Sequence, residues 1–84
     1  MKHKIGDVVT IKSKEWYSKN KDKFGNVECG HVYFVRGMSK YCGVIAVIKD
    51  VDKGDELYSI DIDGYAYFWT DEMFEDAKDV TNEE

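Results

Sequence analysis

The chain has 84 residues, 43% of them hydrophobic and 14% aromatic, with a formal net charge of −5. That length gives room for one domain, whose limited interior has to be filled by large rings, and the acidic balance argues against a role built on neutralising phosphates. No apolar run reaches the roughly 18–20 residues of a membrane span, and Met1–Asp7 has no apolar leader core, so a cytoplasmic protein is expected, with Cys29 and Cys42 as free thiols.

After an Ile5-Gly-Asp turn, Val8–Lys12 alternates, with Val9 and Ile11 on one face and Thr10 and Lys12 on the other, which predicts a half-buried first strand. Ser13 is placed to cap a turn or two through Lys14–Tyr17, and Asn20–Asn26 reads as a polar loop. His31–Val35 is extended in character, and Met38–Tyr41 fits a single turn. Residues 14–42 thus form one long excursion carrying Trp16, Tyr17, Phe24, Tyr33 and Phe34, too large to be a mere connector.

Gly43–Val51 is β-branched almost throughout, which predicts a strand covered on both faces. Asp52-Lys-Gly-Asp55 supplies a hairpin turn and Leu57–Ile62 its second strand. Asp63-Gly64 is a strong hairpin signal, so Tyr65–Trp69 is expected as the next strand. Thr70 is placed to cap a helical turn with Asp71 and Glu72 at its positive end. Glu75–Val80 makes one short closing strand or none, and residues 81–84 are expected to be a flexible tail. Four or five short strands without a long amphipathic helix predict an all-β single domain over residues 1–80, and a small barrel rather than a sandwich of about seven strands.

Alternation would put Tyr65, Tyr67 and Trp69 on one face of their strand, opposite Ala66 and Phe68. Together with Trp16 and Tyr17 at the start of the long excursion, Tyr65 and Tyr67 form the candidate protein-binding surface. The competing reading is that Phe68, Trp69 and Phe74 are core and the tyrosines pack under the long loop. Seven lysines in residues 1–24 stand against Asp7, Glu15 and Asp22, so a nucleic-acid partner gripped by these lysines and nearby rings is the alternative.

Cys29, His31, Cys42 and His3 lack the paired spacing of a metal site. Asp50, Asp52, Asp55, Asp61 and Asp63 read as turn formers and solubilising groups, not as an acid–base pair. The glycines are scattered singly and form no phosphate loop. No cofactor and no catalytic residues are expected, and the reading is of a non-enzymatic binding or adaptor module.

Gly6-Asp-Val-Val-Thr-Ile11, Tyr41-Cys-Gly43 opening an apolar strand, and Asp63-Gly64 followed by Trp69-Thr-Asp-Glu-Met-Phe74 resemble a group of small uncharacterised proteins from phages, prophages and gut-type bacteria. The carboxy-terminal half is also similar to the SH3-like repeats of mind bomb-type ubiquitin ligases, with Met73, Phe74 and Glu75 in the region of their Leu-Glu turn. The chain departs from those repeats in its 14–42 insertion and its lack of proline. The resemblance implies an SH3-like barrel of about five strands, with a long first loop carrying short helical turns and a single helical turn after the fourth strand. It also implies a phage or prophage origin, and it implies no activity.

Overall fold

The computed structural model describes residues 1–75. Five strands form two antiparallel sheets: β1 (Val8–Thr10), β4 (Ile45–Asp52) and β5 (Leu57–Ile60) pair in the order β1-β4-β5, and β2 (Val27–Cys29) pairs with β3 (Val32–Phe34). The class is all-β, with one short helix α1 (Lys14–Asn20) and 3-10 turns at Arg36–Tyr41 and Asp71–Met73. The long excursion therefore holds a helix, a hairpin and a turn of its own. The expected 81–84 tail, and the closing strand beyond Glu75, lie outside the described residues.

Local chemistry accounts for most of these elements. The Ser13 hydroxyl accepts from Trp16 N at 3.0 Å and opens α1, and Lys19 reaches back to Glu15 at 3.3 Å. Seven residues are too few for a helix to hold in water alone. Packing holds it: the rings of Trp16 and Tyr17 lie 5.2 and 5.7 Å from that of Phe34 on β3. The β2–β3 hairpin turns through Gly30 and His31, with Gly30 at a φ of 73° that suits the first central residue of a two-residue turn.

In β4, Ala46 and Ile48 face the core while Ile45 is exposed, and on β1 Val9 is buried while Val8 is exposed. The β-branched run is thus not covered on both faces, because only one side of the three-stranded sheet enters the core shared with Val27, Cys29 and Phe34. A register shift between Ile48 and Asp50 marks where β4 passes from pairing with β1 to pairing with β5.

Tyr65–Trp69 does not form the expected strand. Trp69 makes a single bridge to Tyr58 on β5, and Phe74, past the Asp71–Met73 turn, makes a single bridge to Ile11 beside β1. Residues 69–74 thus touch both edges of the three-stranded sheet, but neither sheet closes into a barrel among the described residues. Thr70 caps nothing with its side chain; its hydroxyl is buried and donates to Cys29 O at 3.4 Å. Trp69, fully buried, sits where the hairpin meets the sheet, with Phe34 at 5.9 Å, Tyr41 at 6.1 Å and Phe74 stacked at 6.2 Å.

Candidate functional site

Asp63 organises the segment that was expected to be a strand. Its carboxylate is buried, with 8% of the residue exposed, and takes three donors: Tyr65 N at 3.1 Å on Oδ1, and Tyr67 N at 3.2 Å and Trp69 Nε1 at 2.9 Å on Oδ2. Its own carbonyl accepts from Ala66 N at 3.1 Å. A carboxylate in that position needs its lone pairs filled, and each hydrogen bond to the charged group is worth more than a neutral one. The result is a tight loop in place of a ladder. The sequence reading of Asp63 as a solvated turn former is corrected by this burial.

The loop sorts the aromatic run into inner and outer rings. Trp69 is sealed and Tyr67 half-buried, its ring 6.4 Å from Trp69. Tyr65 and Phe68 point out, 62% and 61% exposed. Tyr65 is held at a φ of 66°, a region that side-chain-bearing residues seldom adopt. Beside Phe68 the outer face of the β4–β5 hairpin forms a depression of about 340 Å³ that also involves Asp50, Asp52, Lys53, Leu57 and Ser59. Asp50 stands opposite Ser59 and Asp52 opposite Leu57.

The four residues expected to bind a partner do not share one groove. Tyr17 is only 8% exposed, and its hydroxyl donates to Gly25 O at 2.7 Å; it belongs to the core and anchors the loop after α1. Trp16 is half-buried beside Lys12, Glu15 and Asn20 on a shallow surface. Ring contacts run from Trp16 to Phe34 to Trp69 to Tyr67, so two core rings lie between Trp16 and Tyr67. The Tyr67 hydroxyl lies against Gly37, where any Cβ would collide with it. Tyr65 alone of the four is fully presented.

Sequence reasoning left Phe68 out of the candidate binding residues, counting it as core only in the competing reading, and it did not single out Ser59, Asp50 and Asp52 as a shared face. The spacing of Asp50 and Asp52, two residues apart on a strand, was the available signal for a shared face.

The remaining reactive groups are quiet. Cys29 and Cys42 are free; burial pushes the Cys29 thiol up to about 11, with the Glu72 charge adding to it, and burial also raises Cys42. Thiols held protonated are poor nucleophiles. Burial, reinforced by its hydrogen bond to Asp71, pushes the Tyr58 phenol up to about 12. Among the described residues no three His, Cys, Asp or Glu side chains gather as a metal site, and no helix is long and apolar enough to cross a membrane.

The lysines of the first quarter are spread out. Lys4 pairs with Asp7 and Lys19 with Glu15, while Lys21 and Lys23 lie over the rings of Tyr17 and Phe24. Compared with family models, with curated proteins and with solved structures, the chain finds no match in any of the three.

Proposed function

We propose that this chain is a small, non-enzymatic protein-binding module that grips an extended peptide with Tyr65 and Phe68. The observation that supports it is the Asp63 loop, which spends a buried carboxylate on three hydrogen bonds and holds Tyr65 at a positive φ while turning both rings outward. Backbone strain kept by a network of bonds is characteristic of binding surfaces, and rings with few rotatable bonds are effective anchors. In this reading the fold is an SH3-like arrangement in which Trp69–Phe74 spans from β5 to β1 through single bridges.

The test is selection from a random peptide library, using the parent and a Tyr65→Ser/Phe68→Ser variant first shown to be folded. The parent should enrich a peptide consensus, and the variant should bind it more than about tenfold more weakly. Equal enrichment by both proteins, or none by the parent, overturns the reading. Capture of oligonucleotides that are released steeply by salt would favour the lysine-rich quarter and a nucleic-acid partner instead.

A further inference from the structure

The outer face of the β4–β5 hairpin has features of a receptor for one kind of side chain. Asp50 and Asp52 lie two residues apart on β4, facing Ser59 and Leu57 across the ladder. Each carboxylate is already oriented from behind, since Asp50 Oδ1 accepts from Val51 N and Asp52 Oδ1 from Asp55 N, both at 3.1 Å. No described lysine or arginine pairs with either of them.

Ser59 forms the floor and is only 8% exposed. Its hydroxyl has no hydrogen-bond partner among the described residues, yet it is not one of the sealed, unpaired atoms, because the structure has none there. The exposure it retains therefore opens into the depression. That hydroxyl meets solvent at the depression and can exchange water for a ligand donor. Phe68 supplies an exposed ring as one wall, and half-buried Leu57 an apolar contact.

We propose that this depression receives an arginine side chain from a partner peptide, a step that rests on the protein-binding reading above. The two carboxylates and the serine hydroxyl offer three acceptors to a group that carries five N–H donors in one plane and no acceptor. The Phe68 ring meets the face of the guanidinium, and Leu57 the methylene stem. A lysine ammonium is a compact point charge and fills fewer of these contacts. An anionic ligand is opposed by two carboxylates against the single Lys53 at the rim.

The experiment is a titration of isotope-labelled protein, followed by amide chemical shifts, with the peptide acetyl-Gly-Arg-Gly-amide and with its neutral isostere carrying citrulline for arginine. The arginine peptide should move the amides of Asp50–Ser59 and Phe68 in a saturable way, and the citrulline peptide should not. Asp50→Asn/Asp52→Asn, both exposed changes, should weaken the interaction at least about tenfold, and Ser59→Ala about threefold. Lys53→Met should tighten it by removing a competing cation. Equal shifts with both peptides, shifts scattered over the acidic surface, or unchanged affinity in Asp50→Asn/Asp52→Asn overturn the proposal. If library peptides depend on Tyr65 and Phe68 but carry no basic residue, the arginine pocket fails while the binding module stands. Saturable arginine binding here with no library consensus gives the converse.

Discussion

Between β4 and β5 the run Asp52–Asp55 turns the chain and leads into a ladder: Asp52 Oδ1 accepts Asp55 N at 3.1 Å, Glu56 takes a φ of 58°, and Leu57–Ile60 pair with β4. Between β5 and Trp69 the run Asp61–Gly64 also turns the chain and Tyr65 takes a φ of 66°, yet this second turn leads into a loop with one bridge. The two turns differ in where the carboxylate goes. Asp52 stays exposed and takes only Asp55 N, inside the turn, so the N–H groups of Leu57–Ile60 remain free for strand pairing. Asp63 is buried and takes the N–H groups of Tyr65 and Tyr67, the donors a further ladder would need. A buried aspartate thus diverts a strand-forming run into a loop that displays rings.

The largest effect should come from Trp69→Ala, which empties the site on which both regions lean. Loss of a fully buried aromatic side chain costs about 3–5 kcal/mol, a large share of what a domain of this size has. Denaturant melts followed by circular dichroism should show a badly destabilised or unfolded protein. A midpoint equal to the parent's would mean that Trp69 is not the common support.

Asp63→Ala should cost about 2–4 kcal/mol, because the indole and two backbone N–H groups lose their acceptor, whereas Asp52→Ala in the exposed turn should cost under about 1 kcal/mol. Hydrogen exchange gives the sharper readout. Tyr65 and Tyr67 amides should lose protection in the first variant while the β4–β5 ladder keeps its own. Equal costs for the two changes would erase the distinction between the turns.

Stability should also respond to alkali, through one group on β2 and one on β5. The Cys29 thiol is raised from 9.0 to about 11 and the Tyr58 phenol from 10.0 to about 12. For an acid whose folded pKa is raised, the unfolded chain releases its proton first. The associated stability is complete below about pH 9, falls as pH rises, and is lost above the folded pKa values, about pH 12. Urea midpoints measured from about pH 8 to about pH 11.5 should decline accordingly. Tyr58→Phe should flatten the upper part of the decline and Cys29→Ala the lower part. Tyr58→Phe should also cost about 1 kcal/mol at neutral pH, since the phenol donates to Asp71 Oδ1 at 2.6 Å and accepts from His3 N at 3.0 Å. A flat profile in the parent would contradict the burial of both groups.

The smallest effects should be Glu56→Gly and Tyr65→Gly, each relieving a positive φ and each expected to change stability by less than about 1 kcal/mol in the favourable direction. Their difference is the informative quantity: Glu56→Gly should leave peptide binding unchanged, and Tyr65→Gly should weaken it. Weakened binding in both, or in neither, would detach the Tyr65 ring from the proposed surface.

The sequence alone determined what short-range chemistry governs. Ser13 capping its helix, the in-and-out alternation of Val9 and Ile11, the Asp52–Asp55 hairpin turn and the helical turn at Asp71–Met73 each depend on groups a few residues apart, so their signals lie side by side in the chain. The all-β class rests on them. Tertiary structure decided which rings are buried and which are shown, because that choice is made by partners distant in sequence. Tyr17 and Trp16 look alike as exposed neighbours until Phe34 arrives from β3 and Gly25 takes the Tyr17 hydroxyl. Trp69 lies inside and its neighbour Phe68 outside because Asp63 enters the core and captures the indole N–H. Ser59 faces a depression only once β4 sets Asp50 across from it and Phe68 is turned outward. Alternation specifies two faces of a strand, but only the packing of the hairpin against one of them says which face is the inside.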